Sequence, residues 1–69
     1  MESIKLREEF IKLGQALKAA NLVESGVEAK YEILEGNVKV NGEVCTMRGK
    51  KLYGGDTVEF NGQTVKIEE

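Results

Sequence analysis

Hydrophobic and polar residues repeat with a helical period in a stretch near the start of the chain. Four apolar residues follow one another at i, i+3, i+4 and i+7, namely Leu13, Ala16, Leu17 and Ala20. This spacing places them on one face of a helix, and Asn21 is the predicted end of that helix. Gln15 and Lys18 fall on its opposite side.

A second helix is indicated at both of its ends. Ser25 and Glu28 form a capping box, in which Ser25 accepts a hydrogen bond from the Glu28 amide while the Glu28 carboxylate accepts one from the Ser25 amide. Gly36 supplies the left-handed residue that commonly ends a helix. The apolar residues predicted on or beside its buried face are Ala29 and Ile33, flanked by Val27 and Leu34.

After Gly36 the pattern changes to the period of two that is typical of a strand. Val38 and Val40 alternate with polar neighbours, and Asn41-Gly42 is a strong signal for a hairpin turn. Residues 43–46 then form a short return strand. The segment between Ser25 and Gly42 therefore contains a helix, a helix end, a strand and a turn.

Three more segments of the chain have a strand pattern. Residues 57–60 and 64–67 are separated by Asn61-Gly62, which predicts a second hairpin. Ile4 and Leu6 favour a short opening strand, although the same residues could also begin a helix. We therefore predict an α+β domain in which two packed short helices are followed by a small antiparallel sheet of about four to five strands.

Length and composition favour a single small domain. The chain has 69 residues, of which 41% are apolar and 32% are charged, so residues 1–69 are expected to form one domain near the lower size limit for a hydrophobic core. The first residues contain acidic side chains and no long apolar run, so we expect neither a signal peptide nor a membrane span. A single cysteine, Cys45, excludes an internal disulfide and favours a reducing, cytoplasmic setting.

The net charge of −2 conceals a segregation of charge along the chain. Residues 12–52 contain seven basic and five acidic residues, a balance of +2, whereas the two flanks contain three basic and seven acidic residues, a balance of −4. Three cations, Arg48, Lys50 and Lys51, fall within the predicted loop 47–52. One face can therefore be positive on an acidic protein. The alternative for this loop is a solvated, flexible hairpin, and the charge pattern alone does not separate the two.

Signals for catalysis or a cofactor are weak. Because the sequence contains no histidine, a Cys/His zinc site is excluded. Cys45 has no base nearby in the sequence and the acidic residues are scattered. Gly49, Gly54 and Gly55 match the spacing of neither common nucleotide-binding fingerprint. We expect a protein that is not an enzyme and that needs no cofactor or metal.

A longer pattern combines the second helix, the first hairpin and the following strand. Its positions are Ser25, Glu28, Ala29, Lys30, Ile33, Gly36, Val38, Lys39, Val40, Asn41, Gly42, Gly55, Asp56 and Val58. This pattern resembles the RNA-binding domain named after ribosomal small-subunit protein four, also called the αL motif. Lys12-Leu13 stands where that family usually has Arg-Leu, so the match covers residues 12–60. The segments LGQALK and RGKKLYGGD are similar to those of its short, stand-alone bacterial type.

The resemblance implies a non-catalytic module that binds structured RNA, either ribosomal or transfer RNA, through the two helices and the first hairpin. Ribosomal particles are a further implied partner, and neither a membrane nor a small-molecule substrate is expected. The RNA-binding residues carried over by position, together with the cations of the predicted loop, are Lys12, Ser25, Lys30, Lys39, Asn41, Gly42, Arg48, Lys50 and Lys51.

Three positions depart from the family pattern. Gly26 replaces the usual Arg after the serine, Gly14 replaces the usual Asp after Arg-Leu, and Glu32 occupies a helix position that is commonly apolar. The missing Arg removes a phosphate contact. Together with the acidic flanks, Gly26 favours an alternative function, a protein-interaction adaptor on the same scaffold with little RNA affinity.

Overall fold

The computed structural model describes residues 2–69, which contain two helices and seven strands. The helices are α1 (Leu13–Ala19) and α2 (Gly26–Leu34). The strands are β1 (Glu2–Lys5), β2 (Ile11–Lys12), β3 (Val38–Val40), β4 (Glu43–Val44), β5 (Lys51–Leu52), β6 (Thr57–Phe60) and β7 (Gln63–Glu68). Neither helix has the length and apolar character needed to cross a membrane within this part of the chain.

Both predicted hairpins are confirmed in a five-stranded sheet of order β1-β7-β6-β3-β4. The φ angles of Asn41 and Gly42 are 52° and 85°, and those of Asn61 and Gly62 are 53° and 80°. Two consecutive left-handed residues make a turn whose twist matches that of the flanking strands. The return strand after Asn41-Gly42 ends at Val44, two residues earlier than predicted.

The opening strand is confirmed, and it pairs with the last strand of the chain, a pairing that the sequence pattern leaves open. β1 runs parallel to β7, with Ile4 opposite Ile67. Neighbouring strands joined by a hairpin must be antiparallel, whereas β1 and β7 are separated by the rest of the chain, so the connection imposes no direction. The sheet is therefore mixed.

The two helices pack against each other on one face of the sheet. The predicted stripe of α1 is confirmed for Leu13, Ala16 and Leu17, which are buried, while Ala20 follows the helix and is half-buried. Asn21 has a φ of 59° and ends the helix as predicted. The largest fully buried side chains are Leu13, Leu17, Ile33, Leu52, Ile67, Val38, Val58 and Val65.

The start of α2 follows the prediction in one of its two hydrogen bonds. The Oγ of Ser25 accepts a hydrogen bond of 3.2 Å from the Glu28 amide, as predicted. The Glu28 carboxylate accepts a bond of 2.9 Å from the amide of Glu24, one residue before the predicted donor. The amide of Glu24 precedes the helix and still lies within reach of a flexible glutamate side chain. Gly36, with a φ of 79°, lies at the predicted end.

The predicted positions of Val27 and Leu34 beside the buried face of α2 are wrong. Ala29 and Ile33 are 1% and 0% exposed, whereas Val27 and Leu34 are 79% and 55% exposed. Both lie roughly 100° or more around the helix axis from Ile33, outside the narrow face that rests on α1 and the sheet. Together with Tyr31 they form an exposed row that we call the α2 apolar stripe.

A small second sheet lies within the region predicted as the loop 47–52. β2 pairs antiparallel with β5, with Ile11 opposite Leu52 and Lys12 opposite Lys51. A strand of two residues has no periodic pattern that a sequence could reveal. Leu52 is fully buried, so the β2–β5 pairing connects the end of the predicted loop 47–52 to the core.

Candidate nucleic-acid interface

The basic loop, residues 45–50, is hydrogen-bonded to the first turn of α1. The amide of Leu13 donates to the carbonyl oxygen of Lys50 at 2.9 Å, and the amide of Gly14 donates to that of Arg48 at 3.1 Å. First-turn amides have no partner inside their own helix, and here the loop supplies the acceptors. The backbone beneath Arg48 is therefore fixed relative to α1.

Four cations line an open groove beside this contact. The groove has a volume of about 360 Å³, and every charged residue that lines it is basic. We call it the basic groove. Its lining residues are Lys12, Gly14, Gln15, Lys18, Gly26, Lys30, Arg48 and Gly49.

Each cation reaches the basic groove from a different part of the fold. Lys12 immediately precedes α1, Lys18 lies in its last turn, Lys30 lies in the middle of α2, and Arg48 lies on the basic loop. All four residues are exposed. Cations confined to one concave surface reinforce one another's potential, so the groove attracts an anion although the whole chain is acidic.

Lys18 is a residue of the basic groove that the family pattern does not include. It was assigned to the side of α1 away from the core, which is correct since it is exposed. Its proximity to Lys30 and Arg48 arises only after α2 and the basic loop pack around α1. The one signal in the sequence is that Lys18 lies three residues after Gln15 on the side of α1 away from the core, and both residues line the basic groove.

Three other predicted site residues have structural roles in the protein. Ser25 caps α2 with its hydroxyl oxygen. The Oδ1 of Asn41 accepts from the Thr57 amide at 2.9 Å and from the Thr57 hydroxyl at 3.3 Å, and its Nδ2 donates to Asp56 at 3.1 Å. Gly42 completes the turn. These bonds connect the first hairpin turn to the turn before β6, and contact of these residues with RNA stays a prediction.

Lys39 lies away from the basic groove. It is exposed between the buried residues Val38 and Val40, and alternate residues of a strand point to opposite faces. Since the valines belong to the core beneath the helices, Lys39 points from the other face of the sheet. There it lies opposite Glu59 of β6 and Val44 of β4.

Lys51 and Lys50 also lie outside the basic groove. The Nζ of Lys51 is 4.8 Å from the centroid of the Phe10 ring, and that ring lies 6.1 Å from the ring of Tyr53. A cation over an aromatic face is stabilised by the ring's quadrupole. Lys51 shares one face of the β2–β5 pair with Lys12, because residues directly opposite in an antiparallel pair point the same way. Lys50 is exposed on the loop.

The three departures from the family pattern are accommodated by the fold. A Cβ atom at Gly26 would meet nothing within 4 Å, so the missing Arg leaves open space in the basic groove. A Cβ at Gly14 would lie 3.8 Å from the Arg48 carbonyl oxygen, which is ordinary contact. Glu32 is half-buried and accepts a hydrogen bond of 2.7 Å from Asn37.

Most of the chain matches a family model, and bacterial relatives are similar to it over most of their length. Residues 4–68 match the S4 domain. The chain is 48% identical over 59 residues to the probable ribosome maturation protein RlbA of Bacillus subtilis (strain 168), covering 86% of this chain and 83% of that protein. It is 42% identical over 57 residues to the putative RNA-binding protein YbcJ of Escherichia coli (strain K12), covering 83% of this chain and 81% of that protein.

A solved structure shares the fold over the full length of the chain. It is the solution structure of YbcJ from E. coli, described as revealing an αL motif involved in RNA binding. The TM-score is 0.77 at 37% sequence identity, and the match covers 100% of this chain and 89% of that one. The arrangement of helices and sheet described above is therefore that of an αL protein.

Proposed function

Because the chain belongs to the S4 domain family, we propose that it is an RNA-binding protein that holds structured RNA in the basic groove. The observation that carries this proposal is the meeting of Lys12, Lys18, Lys30 and Arg48 in one groove lined by no other charged residues. The names of the B. subtilis and E. coli relatives, one for ribosome maturation and one for RNA binding, support it.

The binding mechanism is phosphate neutralisation by cations on a rigid frame. Lysine and arginine side chains that contact phosphates release condensed counterions, which gives attraction that weakens as salt rises. The hydrogen bonds from Leu13 and Gly14 to the basic loop fix the backbone of Arg48 before RNA arrives, so less ordering is needed on binding. Double-stranded RNA is read mainly through its shape and backbone, which suits a groove without a base-specific set of side chains.

Of the two RNA classes, ribosomal RNA is favoured over transfer RNA. The support is the name of the B. subtilis relative, a probable ribosome maturation protein that shares 48% of aligned residues with this chain. The proposed role is binding without catalysis. Ribosomal particles are then the wider partner, and the bacterial cytoplasm is the proposed location.

A salt titration tests the proposed function. Labelled ribosomal RNA hairpins and transfer RNA are titrated with the chain at several salt concentrations, with a DNA duplex of matching length as the control. Three to four phosphate contacts predict a log-log slope of about −2 to −4. The folded RNAs should bind more tightly than DNA, and absence of RNA binding even at low salt would reject the proposal.

A second candidate function, binding to a protein, is favoured by the α2 apolar stripe. Its members Val27, Tyr31 and Leu34 are 79%, 61% and 55% exposed and follow one another at i, i+4 and i+7 on one side of α2. Contiguous exposed apolar residues often mark protein interfaces. Recovery of partners with the tagged chain separates the two functions, since ribonuclease removes RNA-mediated partners and leaves directly bound proteins.

A further inference from the structure

A second open groove borders α1 next to the basic groove. It has a volume of about 400 Å³ and lies between residues 4–11 and one side of α1. We call it the N-terminal groove. The lining residues that bear on its chemistry include Leu6, Arg7, Phe10, Ile11, Gln15 and Ala19.

The two grooves are parts of one continuous surface. Gln15 lines both of them. Its Oε1 accepts a hydrogen bond of 3.3 Å from the Lys12 amide. The NH₂ group of the same side chain can then donate a hydrogen bond to a ligand. Lys51 connects the same regions, because it shares a strand-pair face with Lys12 and lies over the ring of Phe10.

The lining of the N-terminal groove combines an apolar wall, which includes the aromatic ring of Phe10, with charged side chains. Phe10, Ile11 and Leu6 are half-buried, and Ala19 adds a small side chain from the last turn of α1. Two cations, Lys5 and Arg7, also line the groove, together with one acid, Glu8. This groove therefore differs from the basic groove, whose lining includes no aromatic, leucine or isoleucine side chain.

A ligand that suits both grooves must be anionic and must carry a flat apolar group of limited size. An unpaired nucleotide meets these requirements, since its base can lie against the apolar wall while its phosphate lies near Arg7 or Lys51. The Gln15 amide is placed to donate to the edge of the base. A base inside a duplex cannot do this because both of its faces are stacked. The volume lies within the range of small-ligand sites.

We propose that the N-terminal groove binds one unpaired nucleotide of the same RNA whose duplex lies in the basic groove. This inference rests on the proposed function and makes it more specific. Phosphate contacts alone carry no information about the RNA beyond its charge and shape. The second groove gives the chain a preference for a duplex interrupted by, or ending in, an unpaired base.

The test compares two RNA hairpins that share one stem, of which one contains a single unpaired adenosine. Binding is measured by fluorescence anisotropy with the full chain. Stacking and enclosure of the base predict about tenfold tighter binding of the interrupted hairpin. In nuclear magnetic resonance spectra, the amides of residues 6–11 should shift with this hairpin and stay unchanged with the fully paired one.

Three variants separate occupation of the groove from greater flexibility of the interrupted stem. Ala19→Leu extends an exposed side chain into the groove, and Arg7→Ala removes a cation from its edge. Ala19→Leu should reduce the tenfold preference to about one because it fills the space for the base, and Arg7→Ala should reduce it by about two- to threefold because one phosphate contact is lost. Lys66→Ala removes an exposed cation between Val65 and Ile67 on the helix-free face of the sheet, and it should leave the preference unchanged.

The outcomes distinguish this inference from the proposed function. Equal binding of the two hairpins by the unaltered chain, or a preference that survives Ala19→Leu, overturns the N-terminal groove as a nucleotide site. Salt-dependent binding of the paired hairpin would still support the basic groove in that case. Failure to bind either hairpin at low salt overturns both proposals.

Discussion

The backbone amide of Gly14 donates a hydrogen bond of 3.1 Å to the carbonyl oxygen of Arg48. This bond links the first turn of α1 to a loop that is more than thirty positions away along the chain. A second bond, from Leu13 to Lys50, lies beside it. The basic loop therefore takes its position from a helix terminus, and Arg48 shares a groove with Lys12 and Lys30 as a consequence.

Hydrogen exchange should show that this loop is held in place. The amides of Leu13 and Gly14 are bonded to the loop, and we expect them to exchange at least roughly tenfold more slowly than the Gly49 amide, which lies exposed at its tip. The measurement is amide exchange followed by nuclear magnetic resonance at a pH where all three amides are observable. Equally fast exchange at the three positions would instead indicate the solvated, flexible loop.

Gly26→Arg should increase affinity for RNA. The position lines the basic groove, and a side chain there meets no atom within 4 Å of its Cβ. One added phosphate contact predicts binding several-fold tighter and a salt slope steeper by about 1. Gly26→Gln is the matched control, because it also removes a helical glycine but adds no charge. An equal gain from Gln would assign the effect to helix stability.

The two Asn-Gly turns should respond differently to the same substitution. Asn41 and Asn61 have φ angles of 52° and 53°, so glycine fits both backbones. The Asn41 side chain also bonds Thr57 and Asp56. Asn41→Gly should lower the free energy of unfolding by about 2 kcal/mol, since it removes these bonds and leaves the Thr57 amide without its acceptor.

Asn61→Gly is the control for that prediction. Within residues 2–69, the side chain of Asn61 makes none of the side-chain hydrogen bonds found for Asn41, so its replacement should change stability by no more than about 0.5 kcal/mol. Urea unfolding of both variants, followed by circular dichroism, measures the difference. Equal destabilisation by the two substitutions would show that the turn itself, and not the network around Asn41, determines the effect.

Local chemistry explains which parts of this fold could be predicted from the sequence. The cap at Ser25, the helix end at Gly36 and the turns at Asn41 and Asn61 each depend on a few adjacent residues, and all four were found in the structure. A side-chain cap or a left-handed residue needs no distant partner. For the same reason the buried positions of α1 followed from spacing alone.

The remaining features depend on how the elements pack. Val27 and Leu34 are apolar, but α2 contacts its neighbours through a face too narrow to cover them. Lys18 enters the site only because the basic loop folds back onto α1. β1 lies at the edge of the sheet and runs parallel to β7, a pairing between the two ends of the chain. No periodicity in the sequence contains this information.

Charge reversal on opposite sides of the molecule tests the central claim most directly. Lys30→Glu with Arg48→Glu changes two residues of the basic groove, whereas Lys39→Glu with Lys66→Glu makes the same change in net charge on the exposed face of the sheet. With folding of both variants checked by circular dichroism, the account predicts that the groove variant loses roughly a hundredfold in affinity for a ribosomal RNA hairpin while the control loses only a few-fold. Equal losses for the two variants, or unchanged binding by the groove variant, would contradict the basic groove as the RNA site.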